Sequence, residues 1–437
     1  MSDSHLAWAP TPPMGWNSWD CFGVSITEAE VRENAAFMAK HLKDCGWEYV
    51  VIDIDWYAPE ATTENYKQYG LKQLVDPHGR PIPDPVKFPS SADGGGFTQL
   101  AEYVHSLGLK FGIHLMRGMP FQAAEQKCII EGTDITCDQI ADSKDRCPWY
   151  ANTVGVKLTA EGGQAYYDSL TRLFASWGVD FIKADDMNSW DGGEEATPYH
   201  TDEIEALRRA IDKSGRPMVL SLSPGAALVC NARHLRESVN MFRISADFWD
   251  DWDSLKRQFS RCARWAEYII VGSWPDPDML PLGRIGIRGE VGEERKTHFL
   301  PAEQRTLMTL WCIFRAPLMF GGHLPGTDEA TLALIQNKEV LEVNQMGADP
   351  ACLWQRGDLI AWSSKAPGGG FYLGLFNHDD LPRRMDFLLA ELGLTGAVSV
   401  RDLWERSDLG TFTGTLPVEI PAHGAVLYKL LASTTAV

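Results

Sequence analysis

The feature that most constrains this chain is a recurring short apolar segment that ends in polar residues and is followed by a stretch of helical character. Tyr49-Val-Val-Ile-Asp-Ile-Asp-Trp56 is the clearest case. A near-continuous apolar run of this length fits a strand covered on both faces, as in a parallel sheet. The pattern returns at 109–115, 180–185, 217–223, 242–247, 268–274 and 316–321, and Pro10-Thr-Pro-Pro-Met-Gly-Trp-Asn-Ser-Trp19 enters a first strand. Between these lie helical stretches. One opens on Thr27 and Glu30, spaced as a capping box, and runs to about Leu42. Others lie near 97–107, 160–177, 201–213, 253–266 and 302–313. Gly178 is placed to end the third of these as a C-terminal glycine. Eight strand–helix units over about 340 residues predict a (β/α)8 TIM barrel.

After Gln345 the pattern changes. Short alternating segments at 359–363, 370–377, 397–404 and 425–430 are separated by turn residues. They predict a C-terminal antiparallel β-sandwich. The expected domains are therefore a catalytic barrel over 1–345 and a sandwich over 346–437. One connection, 116–158, is far longer than the rest. Connections of that length are functional or disordered, and its aromatic and proline content predicts an ordered lid at the carboxyl end of the barrel.

A net charge of −19 excludes nucleic acid and anionic membrane surfaces as partners, because their phosphates require a basic face. It favours a neutral substrate, and it is compatible with a homo-oligomer. There is no run of 18 apolar residues to span a membrane, and the first residues lack the basic and apolar regions of a signal peptide. Nine dispersed cysteines read as reduced thiols of a cytoplasmic protein. Cys128, Cys137 and Cys147 with His114 match no zinc spacing. Neither a metal nor a cofactor is expected.

The chemistry concentrates in Phe181-Ile-Lys-Ala-Asp-Asp-Met187. This strand ends on Asp185, with Lys183 two residues earlier on the same face. Such a lysine favours an ionised Asp185. Phe242-Arg-Ile-Ser-Ala-Asp247 is a second strand ending in a carboxylate. Strand ends at the carboxyl face of a barrel point into the active site, and two carboxylates on neighbouring strand ends suggest a glycosidase pair. The residues alone also allow ordinary polar strand ends. A further alternative is a metal-dependent barrel lyase or isomerase built on Asp53, Asp55, His114 and Asp185.

Taken together, Met14-Gly-Trp-Asn-Ser-Trp19, Asp53 before Trp56, Lys183-Ala-Asp185, Arg243-Ile-Ser-Ala-Asp247 and Trp274-Pro-Asp-Pro-Asp-Met-Leu280 resemble glycoside hydrolase family 27, the α-galactosidases and α-N-acetylgalactosaminidases. The resemblance covers the whole chain. It implies an exo-acting retaining hydrolase of terminal α-D-galactopyranosyl-type residues, with Asp185 as nucleophile and Asp247 as acid/base. A retaining pair stands about 5–5.5 Å apart. The resemblance also places Asp53 on sugar hydroxyls, Trp19 as an apolar wall, and Arg243 on the face of Asp247.

The departures from the family pattern bear on the sugar. Ile54 stands where many members carry a second acid near the 6-hydroxyl, and Asp55 follows it. An apolar residue there suits a pentopyranose, and β-L-arabinopyranose is α-D-galactose without its hydroxymethyl group. Asp55 could still reach round from the strand end. At the fifth strand, Leu222-Ser-Pro-Gly-Ala226 replaces a bulky segment. The small Ser223 and Ala226 leave room at C2, as in α-N-acetylgalactosaminidases. Met187 and Asp55 occupy disulfide positions of secreted relatives. His114 replaces a sugar-facing tyrosine, and the long segment after it has no evident counterpart in the eukaryotic enzymes.

Overall fold

The computed structural model describes residues 3–189 and 198–432. The eight strands expected from the apolar runs form one parallel sheet. They are β1 (Met14–Asn17), β2 (Tyr49–Ile52), β3 (Lys110–Met116), β4 (Phe181–Asp185), β5 (Val219–Leu222), β6 (Met241–Arg243), β7 (Trp274–Asp276) and β8 (Leu318–Phe320). Their spatial order is β7-β6-β5-β4-β3-β2-β1-β8. The ends of that order meet. Leu280, just past β7, bridges Phe320 of β8 in parallel, with backbone bonds from Leu280 N to Met319 O (2.8 Å) and from Gly321 N to Leu280 O (2.9 Å). Sequential strands that are neighbours all the way round and close on themselves make the barrel. Across the β1–β8 pair, Trp16 Nε1 donates to Gly322 O at 2.8 Å.

The helices fall where their periodicity placed them, at Glu28–His41, Thr98–Ser106, Gly163–Trp177, Thr201–Ser214, Trp252–Trp265 and Pro301–Phe314. Both the amide and the hydroxyl of Thr27 donate to the Glu30 carboxylate, at 3.0 and 2.8 Å. Gly178 ends its helix at φ 85°, a left-handed conformation that a residue without Cβ adopts freely.

Three strand expectations are corrected. The seventh strand does not cover 268–274. Ala266–Tyr268 is a 3-10 turn, and an antiparallel bridge between Ile270 and Ser273 folds the chain back before β7 starts at Trp274. Gly272 permits this with φ 96° and a close approach in which a Cβ would lie 2.4 Å from Leu6 O. The sixth strand stops at Arg243, four residues before Asp247. One more ladder bond forms, from Ile244 N to Asp276 O at 2.8 Å. The Arg243 guanidinium then reaches Ser245 O at 3.1 Å across a turn that lifts the chain away. The second strand stops at Ile52, so Asp53 and Asp55 lie beyond it.

The 116–158 segment is a small folded layer. It holds the helices Phe121–Glu125 and Cys137–Ile140. Three antiparallel strands, Met119–Pro120, Thr153–Val156 and Ala141–Asp142, are arranged with Thr153–Val156 in the middle.

The chain divides into two compact units. One comprises Met1–Asp247, Ile270–Lys296 and Met319–Thr327; the other comprises Phe248–Ile269, Thr297–Leu318 and Asp328–Val437. The second unit contains the expected sandwich. A six-stranded antiparallel sheet starts at Ala348 and a two-stranded sheet pairs Arg383–Leu388 with Thr415–Ile420. Leu373, Leu375 and Tyr428 from the larger sheet share one apolar core with Phe387, Leu416 and Val418 from the smaller.

Candidate active site

Side chains at the carboxyl ends of β2 to β7 converge. Register places His114 beside Lys183, Lys183 beside Ser221, and Met116 beside Asp185. One cavity is lined by Asn17, Lys183, Ser223, Arg243, Asp276 and Asp278. Ser223 is 2% exposed, and its carbonyl accepts from Met187 N and Asn188 N at 3.1 and 3.2 Å, tying the ends of β4 and β5 together.

Each oxygen of Asp185 has its own donor. Oδ1 accepts from the backbone N of Asp186 at 2.8 Å, and Oδ2 faces His114 Nε2 at 3.3 Å. Burial by itself would raise this carboxyl. The hydrogen bond and charge of His114, the charge of Lys183 and the Asp186 amide outweigh it and hold Asp185 below its ordinary value. Lys183 thus favours the ionised form of Asp185 as expected, but at a distance. Lys183 Nζ donates to Asp53 Oδ2 at 2.7 Å and acts on Asp185 only through its field, while His114 makes the contact.

Asp53 is 2% exposed. It accepts from Lys183 and from Asn17 Nδ2 (2.8 Å) on Oδ2, and from Ile54 N (2.9 Å) on Oδ1. Burial pushes its carboxyl up, but Lys183, His114 and these donors bring it down to about 2. Asn17 also receives the Trp19 amide at 2.9 Å, so one asparagine sets both Asp53 and the start of the Trp19 segment. The Trp19 ring stands edge-on to Tyr66 at 5.8 Å.

Arg243 holds the other carboxylates. It is 5% exposed and pairs with Asp278 at 2.7 Å and with Asp247 at 3.2 Å. The Asp247 side chain is 60% exposed, in contrast to the 14% of Asp185. Asp278 was not singled out from the sequence, although the Trp274-Pro-Asp-Pro-Asp278 motif at the end of β7 carries it. Asn17 sat likewise inside a quoted motif.

Beside this centre, Asp55 turns inward at φ 67° and is completely buried. Tyr150 of the 116–158 layer donates to its Oδ1 at 2.5 Å, and Gln73 Nε2 donates to the same phenol at 2.7 Å. Burial raises the Asp55 carboxyl to about 6, against the lowering effect of Tyr150. Ile54 is 3% exposed. Nothing in the sequence marked Tyr150, because its partner lies 95 positions away.

Among the described residues, the His, Cys, Asp and Glu group compact enough for a metal ion is Asp145, His200 and Glu203, within 4.8 Å of one another. Arg117 already donates to two of them. Asp53, Asp55, His114 and Asp185 form no such group.

The family described as alpha galactosidase A matches residues 11–142 and 149–346, and the family described as alpha galactosidase C-terminal beta sandwich domain matches 356–430. The chain belongs to glycoside hydrolase family 27. It is a glycosidase, and its substrate is a carbohydrate. It is 29% identical to alpha-galactosidase 2 of Arabidopsis thaliana over 97% of this chain and 90% of that one. It is 28% identical to the alpha-galactosidase of Cyamopsis tetragonoloba over 96% and 86%. Among solved structures, a GH27 β-L-arabinopyranosidase from Geobacillus stearothermophilus matches with a TM-score of 0.96 and 46% identity, covering 100% of each chain. The family match runs through most of the 116–158 layer. The part of that layer outside the match is 143–148.

The Lys183–Asp53 pair is buried, with side chains 15% and 3% exposed. Breaking one partner of such a pair strands the other charge and costs about 3–5 kcal/mol. Lys183→Met should therefore lower unfolding stability at pH 7 by about that amount, read from urea melts. The Asp53 contribution is present above its ordinary 3.8 and is lost as pH falls through about 2. The difference between wild type and variant should narrow over that window.

Proposed function

We propose that this glycosidase is exo-acting and retaining, with Asp185 as nucleophile and Asp247 as acid/base, and that among galactose-configured sugars it is fitted to β-L-arabinopyranose. The state of Asp55 carries the choice of sugar. It follows Ile54 directly and could have replaced the missing acid there, but it is fully buried on Tyr150. Ile54 then leaves only an apolar group where a 6-hydroxyl would need a partner. The 46% identical Geobacillus protein, named as an arabinopyranosidase, supports the same sugar. α-Galactosides, the substrates that the names of the plant relatives indicate, are the alternative. The small, unpartnered hydroxyl of Ser223 in the Lys183–Arg243 cavity favours α-N-acetylgalactosaminides as a further reading.

The contrast between the two carboxyls supports the mechanism. Asp185 is enclosed and held ionised by His114 and the Asp186 amide, as a nucleophile requires. Its oxygen attacks the anomeric carbon while Asp247, open to solvent, gives its proton to the departing oxygen. Water then attacks the same carbon, losing a proton to Asp247 and releasing Asp185. Arg243 holds Asp247 beside the site through both steps. A cytoplasmic location belongs to the proposal, supported by nine free thiols.

Asp185→Ala should abolish turnover, with partial rescue by azide giving an inverted product; near-normal activity would end the nucleophile assignment. Asp247→Ala should impair poor leaving groups far more than activated aryl glycosides, since only the former need the proton; equal losses would remove it from the acid/base role. Ile54→Asp should shift the ratio of kcat/KM toward 4-nitrophenyl α-D-galactopyranoside relative to the β-L-arabinopyranoside. A hydrogen bond to a charged group is worth about 1.5–3 kcal/mol, which is roughly ten- to hundredfold. An unchanged ratio would return the assignment to α-galactosidase.

A further inference from the structure

Behind the nucleophile lies a buried cluster that the mechanism above does not use. Arg117 follows β3, and its backbone N donates to the carbonyl of Asp185 at 3.0 Å. Its guanidinium, 3% exposed as a residue, is divided among three carboxylates from three parts of the chain. Nε donates to Asp186 Oδ2 at 2.8 Å. Nη1 and Nη2 form a fork on Asp145, each at 2.8 Å, and Nη1 also meets Glu203 at 2.6 Å. Glu203 lies on the helix Thr201–Ser214 and accepts in addition from the Tyr167 hydroxyl.

Asp186 connects this cluster to the chemistry. It follows the nucleophile directly, sits at φ 59°, and its amide holds Asp185 Oδ1 at 2.8 Å. A non-glycine residue in the left-handed region costs free energy and persists only where its surroundings hold it there. Arg117 Nε on the Asp186 carboxylate is a contact that does so, and the Nη1 and Nη2 fork on Asp145 anchors the guanidinium in turn. Its outer anchor, Asp145, lies in the 143–148 stretch outside the family match, and it is seated against Gly155. Gly155 N donates to Asp145 O at 2.7 Å, and a Cβ on Gly155 would lie 2.3 Å from Asp145 Oδ2.

We propose that Arg117, braced by Asp145 of the 143–148 strap, is a positioning residue for the nucleophile: it fixes the Asp186 turn so that the Asp186 amide stays on Asp185 Oδ1. This rests on the reading of Asp185 as nucleophile. A planar fork with five donors can serve three carboxylates at set angles, whereas an ammonium supplies charge without that geometry. Loosening the turn moves the attacking oxygen and removes a donor from its ionised form. The groups that face Asp185 are His114, Lys183, Arg243, Asp186, Tyr57 and Cys147. Of these, the Asp186 amide is the one the Arg117 clamp controls.

The test compares Arg117→Lys, Asp145→Asn and Asp145→Glu with wild type on 4-nitrophenyl β-L-arabinopyranoside and α-D-galactopyranoside across pH. A misplacement of about 1 Å can cost 100-fold in rate, so Arg117→Lys should lose roughly ten- to hundredfold in kcat with KM little changed. The acid limb of kcat/KM should move to higher pH, because Asp185 loses a hydrogen bond that favours its ionised form. Asp145→Asn is made at a side chain 41% exposed and leaves the Asp186 and Glu203 contacts in place. It covers the case in which Arg117→Lys does not fold, and should show a smaller loss with the same shift, partly restored in Asp145→Glu. Wild-type kcat and acid limb in Arg117→Lys, or in Asp145→Asn where the lysine variant does not fold, overturn the proposal. A loss that is uniform across pH and disappears on correction for folded fraction also overturns it. An active Asp185→Ala would end the parent reading. An inert Asp185→Ala beside an unaffected Arg117→Lys would end this one alone.

Discussion

Charge neutralisation inside the mouth of the barrel is the constraint on which the site depends. Asp53, Asp185, Asp276 and Asp278 gather at strand ends with Lys183, Arg243 and His114. An uncompensated buried charge costs several kcal/mol, so each anion needs an assigned cation or donor set. Lys183 is committed to Asp53, Arg243 to Asp278, and Arg117 to Asp186 on the far side. Asp185 is served by a histidine and a backbone amide. It stays ionised without a direct ion pair to Lys or Arg.

The same commitments bear on which sugar fits. A carboxylate two residues past Asp53 would be free to meet a hydroxyl if it faced the cavity. It does not, because Asp55 turns into the left-handed region and buries its side chain against Tyr150, whose phenol Gln73 also contacts. The 116–158 layer thus contributes to the loop after β2 as well as to its own fold, supplying the phenol that takes Asp55 and the Asp145 carboxylate that pairs with Arg117. Both contributions come from residues whose partners are far away in sequence.

Much of the architecture was legible because it rests on local periodicity. Continuous apolar runs announced buried parallel strands, the Thr27–Glu30 spacing announced a helix start, and Gly178 announced a helix end. The sixth and seventh strands were misjudged where side chains overrule the pattern. Arg243 pulls the chain round to Ser245 after only three strand residues, and Gly272 folds an apolar stretch that reads as a strand into a turn.

The sequence by itself determined the class of fold and the family, because motif spacing and strand period are properties of nearby residues. It did not determine how charges are paired. Lys183 and Asp185 share a strand face, and adjacency alone assigns them to each other, yet the lysine is long enough to reach Asp53, 130 positions away, while His114 lies in register beside it. Pairing depends on which side chains the closed barrel brings within about 3 Å of each other. Only the tertiary structure could decide that, and with it the burial of Asp55 and the Arg117 cluster behind Asp185.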